Sequence, residues 1–164
     1  MENSDVETLL GEAETAFERE ATEIETGLDV DGAGMLQLKK ACRLLKAAKH
    51  LREENGYYTV VIEASFGAIE RTLQFYLLKN GFLQPEEYID HQTVYERSYD
   101  AGLYDEELRD RLTELWMDNR SQSYYRQGIA SQRRAEKMLE LVEAVHTHVL
   151  QLAGESHECI CNTA

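Results

Sequence analysis

The feature that most constrains the fold is a stretch, residues 57–80, in which apolar side chains occupy nearly every side of a helix. A helix that is apolar on most sides is central in a bundle or buried between two neighbours. We therefore expect this stretch to be central, or to meet a second chain with one of its faces. Its apolar members are Val60, Val61, Ile62, Ala64, Phe66, Ala68, Ile69, Leu73, Phe75, Tyr76, Leu77 and Leu78.

Five further segments repeat apolar residues at helical spacing, and no useful length of chain alternates with the period of two that is typical of a strand. The sole proline, Pro85, stands at a predicted helix start. Helices are predicted over residues 4–27, 35–54, 57–80, 85–101, 105–125 and 131–153. The predicted fold class is all-α, a helical bundle of about five to six helices with a long central hairpin.

The charge of the chain is concentrated at its N-terminus. The net charge is −14, and residues 1–34 hold eleven acids and one base. We expect three parts: an acidic N-terminal helix and link over 1–34, a helical domain over 35–154 and a flexible tail over 155–164. The first helix is expected to pack on the bundle through Leu9, Leu10, Phe17 and Ile24.

Composition also limits the compartment and the partners. No apolar run reaches the length of a membrane span, and the acidic N-terminus lacks the apolar core of a signal peptide. Three cysteines do not make a disulfide framework, and Cys42 is expected in the core. These features predict a cytoplasmic protein without a membrane partner.

Three patterns in the sequence resemble parts of metal sites, and none is complete. Glu143 and His146 have the spacing of a di-iron motif, but only one copy is present, so a partly exposed structural histidine is expected. The run from Asp29 lacks the later glutamate of a calcium loop. The tail residues Cys159 and Cys161 lack the spacing and the number of ligands that zinc prefers. We predict no metal and no cofactor.

An arginine- and tyrosine-rich cluster separates the last two predicted helices. No acid occurs between Asp118 and Glu136 in this otherwise acidic chain. Such a local gap is typical of a surface that faces an anion. Arg120 and Arg126 are the candidate phosphate-binding residues, with Tyr125 beside them. The competing interpretation is a solvated helix end whose long side chains cover apolar surface.

The order of these segments resembles the HEPN domain, the α-helical partner of minimal nucleotidyltransferases in prokaryotic toxin–antitoxin pairs. The resemblance spans about residues 35–152. Three segments carry it. Residues 40–45 together with 57–66 resemble the first hairpin of the family, and residues 91–103 resemble the following helix and turn. Residues 115–139 resemble the motif region and the start of the last helix.

The resemblance also implies a site. The family motif is an arginine, then four to six residues, then a histidine that acts as acid or base, while two motifs meet across a dimer and cut RNA without metal. Arg120 matches the arginine, but Tyr125, Arg126 and Gln127 occupy the three possible histidine positions. Since the pKa of tyrosine lies near 10, this replacement is expected to weaken or abolish the usual cleavage.

Three functions follow as hypotheses. The first is a catalytically degenerate, dimeric HEPN-like domain that acts as partner of a nucleotidyltransferase or as an RNA-responsive toxin–antitoxin module. The second is an active, metal-independent ribonuclease toxin with Arg120 and Tyr125 as catalytic residues. The third is a helical scaffold without chemistry.

Overall fold

The computed structural model describes residues 3–18, 25–54, 56–125 and 131–155 of the chain. This part contains six helices and no strand, which confirms the all-α bundle. The helices are α1 (Asn3–Glu18), α2 (Ala33–Glu53), α3 (Tyr58–Lys79), α4 (His91–Asp100), α5 (Glu106–Tyr125) and α6 (Gln132–Ala153).

The central position of α3 explains its apolar surface. It packs against α2, α6 and α4, and α2 also meets α6. Val61, Ile69, Leu73 and Leu77 are fully buried in this arrangement. Because three helices of the same chain cover α3, its apolar character does not by itself require a second copy. The long central hairpin is formed by α2 and α3.

The two ends of the hairpin differ in their backbone geometry. Gly56 and Tyr57 both have positive φ, at 112° and 56°, and they turn the chain from α2 into α3. At the other end, a Cβ at position 34 would lie 3.4 Å from the carbonyl oxygen of Phe75. The start of α2 therefore lies within van der Waals distance of the end of α3 at Gly34.

Two predicted helix boundaries are wrong. The first helix was expected to run to residue 27, but residues 25–32 are not helical, and residues 19–24 lie outside the described part. The fourth was expected to begin at Pro85, but α4 begins at His91. There the side chain of Asp90 accepts a hydrogen bond from the Thr93 amide at 2.7 Å, which makes Asp90 the stronger N-cap.

The expected packing of the N-terminal helix is not found. Leu9 and Leu10 are more than half exposed, and Phe17 is 92% exposed. Ile24 lies outside the described residues. The apolar face of α1 is therefore not part of the core of this chain.

Among the described residues, no helix combines the length and the apolar character that crossing a membrane requires.

Candidate functional site

An arginine stacked on an aromatic ring marks the last turns of α5. The guanidinium carbon of Arg120 lies over the indole of Trp116, 5.5 Å from the ring centroid. Trp116 is one helical turn before Arg120, and such spacing places both on one side of α5. Arg120 is exposed, while Trp116 is half-buried against the core. A cation held on a ring in this way is oriented before any anion arrives.

The other two side chains predicted for the site lie outside the described part of the chain. Tyr125 is the last residue of α5, and its side chain lies outside the described part of the chain. Arg126 falls outside the described residues altogether. The described part therefore locates Arg120 but leaves the expected triad of Arg120, Tyr125 and Arg126 as a prediction.

The same indole contacts a histidine from another helix. His91, the first residue of α4, stacks on Trp116 with ring centroids 5.5 Å apart and an interplanar angle of 22°. The side chain of His91 is 61% exposed. Trp116 thus brings together an arginine of α5 and an imidazole of α4.

A buried carboxylate contacts that imidazole from the central helix. Oε2 of Glu70, on α3, lies 2.5 Å from Nδ1 of His91, and the hydroxyl of Tyr95 donates to Oε1 at 3.4 Å. Glu70 is buried, and desolvation raises the pKa of its carboxyl above the ordinary 4.5, while the hydrogen bonds from His91 and Tyr95 and the charge of Arg71 oppose that rise. Burial also raises the pKa of Tyr95, and the Glu70 charge adds to that shift.

This arrangement has a structural and a chemical meaning. Structurally, Glu70 fastens the start of α4 to the central helix. Chemically, a histidine whose Nδ1 is fixed by a carboxylate presents its other ring nitrogen in one tautomer and one orientation. An exposed, oriented imidazole near a guanidinium suits the binding of a phosphate and the transfer of a proton to or from a ligand.

Sequence reasoning missed Glu70 and His91, and a signal for Glu70 was present. Glu70 interrupts the helix over 57–80, which is otherwise apolar on most sides. A charged group in such a helix needs a hydrogen-bonding partner, because an unpaired buried charge is costly. The partner was not predictable, since His91 follows twenty-one residues later across a turn.

A groove lies on the other flank of α5. Ile62 and Phe66 of α3 form its floor, and its volume is about 360 Å³. Leu115, Asp118 and Asn119 of α5 line one side, and Arg134, Lys137, Met138 and Leu141 of α6 line the other. The amide of Asn119 donates to Glu63 at 3.2 Å and ties α5 to α3 at this level. We call this cleft the α5–α6 groove.

The predicted state of His146 is wrong, because this residue is buried. Thr72 donates its hydroxyl to the carbonyl of Ala68 at 2.7 Å and lies 3.2 Å from Nδ1 of His146. Nδ1 must therefore donate to Thr72, which leaves Nε2 to accept from the thiol of Cys42 at 3.7 Å. Burial raises the pKa of that thiol to about 11.

Glu143 does not join His146 in a metal site. Its carboxylate pairs with Lys49 of α2 at 2.6 Å. Within the described residues, no group of three potential ligands is arranged to hold a metal ion. Cys159 and Cys161 lie outside that part of the chain. The Cys42–Thr72–His146 cluster is thus a polar element of the core.

The basic side of α2 is partly covered by the segment before it. Glu25 forms an ion pair with Arg43, and Leu28 lines a shallow pocket together with Lys40, Arg43 and Arg71. This contact anchors the chain a few residues before α2 begins.

Fold and site together define an all-α helical domain with a candidate anion-facing cluster of Arg120, Trp116, His91 and Glu70. The chain belongs to the family described as a domain of unknown function, DUF8154, whose family model matches residues 1–161. Comparison with curated proteins and with solved structures gave no match.

Proposed function

We propose that this protein is a dimeric, HEPN-like helical module that binds RNA, or a nucleotide-bearing partner protein such as a nucleotidyltransferase, through Arg120. It acts in binding and lacks the cleavage that is usual in the family it resembles. The single observation that supports this proposal most strongly is the position of Arg120 on Trp116, beside the exposed His91.

Local charge also supports an anionic ligand. The described residues that flank the end of α5 and the start of α6 include Arg120, Arg133 and Arg134, in the stretch without acids between Asp118 and Glu136. Arginine binds a phosphate through two parallel hydrogen bonds and needs no catalytic base to do so. Binding can therefore persist where the histidine of the family motif is replaced.

Binding is tested with a fluorescently labelled single-stranded RNA at low salt, read by anisotropy. We expect the parent protein to bind and Arg120→Ala to bind at least about tenfold more weakly, since a charge-assisted pair contributes roughly 1.5–3 kcal/mol and about 1.4 kcal/mol is tenfold. Arg120→Lys keeps the charge but loses the planar guanidinium, so its affinity should lie between the two.

Arg111→Ala is the matched control. Arg111 lies on the same helix and is exposed, and within the described residues its one ion pair is a long one of 3.8 Å with Glu107. Its removal changes the net charge by the same amount as Arg120→Ala. Equal losses in both variants, or no binding by the parent, would contradict a site at Arg120 and favour the scaffold hypothesis.

A second candidate function is metal-independent RNA cleavage, and the Glu70–His91 pair favours it. In such a reaction Nε2 of His91 accepts the proton of a ribose 2′-hydroxyl while that oxygen bonds to phosphorus. The bond to the 5′-oxygen breaks, and this oxygen takes a proton from water. Arg120 would hold the phosphate, and the reaction would not need a histidine at position 125.

The two candidates are separated by incubating RNA in a metal chelator with the parent, Arg120→Ala, His91→Gln and Tyr125→His. Our proposal predicts no cleavage by the parent and none by the first two variants. Cleavage that appears only in Tyr125→His would support an inactivated family site. Cleavage by the parent that disappears in Arg120→Ala would overturn the binding-only proposal, and its loss in His91→Gln would identify His91 as the acid–base group.

A further inference from the structure

The N-terminal helix has an apolar face that its own chain leaves uncovered. Val6, Leu9, Leu10 and Phe17 lie on one side of α1, and each is exposed by about half or more. The helix also carries five acids and no base. It is therefore an acidic amphipathic helix with a complete but unpaired apolar stripe.

A helix of this kind needs a surface to pack on. Helices of about 15 residues are marginal in water unless an apolar face is buried. The sixteen residues of α1 include Gly11, which costs roughly 1 kcal/mol relative to alanine inside a helix. Packing, and not local propensity, must therefore stabilise α1.

The α5–α6 groove offers the complementary surface. Its floor and walls include Ile62, Phe66, Leu115, Met138 and Leu141, and Leu115 is 39% exposed. A groove between two helices with an apolar floor is the type of surface into which an amphipathic helix inserts its apolar face.

Charge favours the same pairing. The α6 side of the groove carries Arg134 and Lys137. Lys137 pairs with Glu140 at 2.7 Å, whereas Arg134 has no ion pair within the described residues. Asp118 is the acid on the α5 side. An acidic helix that aligns its carboxylates with the α6 side would gain complementary contacts, which set orientation more than affinity.

The connection to α2 disfavours docking within the same chain. Glu25 is anchored to Arg43 next to Arg71, and Arg71 is nine residues, or two and a half turns, from Ile62 on α3. The anchor and the groove floor therefore lie on opposite sides of the central helix. Only residues 19–24 join α1 to that anchor, a reach of about 25 Å even when fully extended.

We infer that α1 of one copy docks in the α5–α6 groove of a second copy, and that the reciprocal contact forms a symmetric dimer. Such an exchange is a closed, two-fold arrangement. The inference gives an interface to the dimer in the proposed function and rests on that dimer, but it does not involve Arg120.

The test is sedimentation equilibrium of the full chain over a range of micromolar concentrations. We expect a parent dimer of twice 18.8 kDa. Phe17→Glu alters the helix and Leu115→Glu alters the groove, and each should raise the dimer dissociation constant at least about tenfold, as a buried charge in an apolar contact costs more than 1.4 kcal/mol. Tyr88→Glu, at an exposed aromatic residue outside both surfaces, is the control and should remain dimeric.

Mixing the two variants distinguishes exchange between copies from other interfaces. Phe17→Glu keeps an intact groove and Leu115→Glu keeps an intact helix. A mixture of the two should therefore form heterodimers at concentrations at which each variant alone is monomeric. A monomeric parent, or a dimer that both substitutions leave unchanged, would overturn the inference. Circular dichroism confirms that each variant is folded. Arg120→Ala should remain dimeric while its RNA binding falls, so that failure of the dimer and failure of the RNA site are seen separately.

Discussion

At the scale of single residues, the described core is notable for polar groups that satisfy one another. Cys42, Thr72 and His146 share one chain of contacts, and Glu70 is held by His91 and Tyr95. Among the described residues, no buried side-chain nitrogen or oxygen lacks a hydrogen-bond partner. Leaving any of these groups buried without its partner costs free energy of folding, so a substitution at each should change the stability of the protein measurably.

Cys42 should be unreactive in the folded protein. Burial raises the pKa of its thiol to about 11, and the thiolate is the reactive form. In a chain carrying Cys159→Ser and Cys161→Ser, we expect a thiol reagent at about pH 8 to label the native protein at least roughly a hundredfold more slowly than the urea-unfolded protein. Labelling at similar rates in both states would show that the thiol is accessible.

Glu70 should make the folded state more sensitive to rising pH. The pKa of Glu70 is raised by burial, so the folded form binds its proton more tightly than the unfolded form does. The free energy of unfolding then falls as the pH rises through the window that begins at 4.5, and the fall is complete above the folded pKa. We expect Glu70→Gln to lose this component in urea unfolding measured across that window.

Glu63→Gln is the control for that experiment, because Glu63 lies on the same helix and is only half-buried. It should retain the pH dependence of the parent. Parallel pH profiles of Glu70→Gln and the parent would show that burial does not raise the pKa of Glu70 in the folded protein.

At the scale of single elements, the turn of the central hairpin contains a strained residue. Tyr57 has a φ of 56°, in the left-handed region that glycine adopts more readily than other residues, and its side chain is mostly exposed. We expect Tyr57→Gly to raise the free energy of unfolding by about 1 kcal/mol through relief of that strain. Chemical denaturation measures the change.

Tyr57→Ala separates strain from the loss of the ring. Alanine keeps a Cβ, and with it the strain, so this variant should gain nothing. A gain of equal size in both variants would trace the effect to the tyrosine ring and not to the backbone.

Helical periodicity was sufficient to predict most of the elements and insufficient to predict their ends. The predictions for α2, α3, α5 and α6 agree with the structure to within about two residues, because long apolar patterns and terminal glycines mark them. The predicted start at Pro85 was wrong, because proline at a first turn is permissive and Asp90 supplies the actual cap. The helix predicted over 4–27 is present as Asn3–Glu18, but its predicted end is wrong, because periodicity does not show that residues 25–32 leave the helix and that Glu25 pairs with Arg43.

The candidate site was predicted only in part, for a physical reason. Arg120 was found because a local lack of acids is visible in the sequence. Glu70 and His91 join it through contacts between α3, α4 and α5, which depend on how the helices pack. Sequence spacing reports neighbours on one helix and carries no direct information on neighbours between helices.

At the scale of the whole molecule, the acidic N-terminal part of the chain is also the part that packs least on the described core. Residues 1–34 carry most of the net charge, and α1 is exposed throughout its described side chains. A truncated chain starting at Met35 loses the Glu25–Arg43 pair and the Leu28 contact but little core. We expect its melting temperature to lie within about 4 °C of that of the parent, equivalent to roughly 1 kcal/mol at this size.

Scanning calorimetry at a concentration where the parent is monomeric checks that expectation, since dimer formation would add its own stabilisation. A fall of more than about 8 °C would mean that the N-terminal segment is part of the cooperative fold.

The central claim is that Arg120 belongs to an anion site that binds RNA, and the salt dependence of binding tests it most directly. Each phosphate contact contributes about 0.7 to the slope of log affinity against log salt for a single strand. We predict that Arg120→Ala lowers the steepness of this slope by about 0.7 to 1, while Arg111→Ala leaves it as in the parent. A parent protein whose binding does not depend on salt, or the same slope in the parent and both variants, would contradict the account.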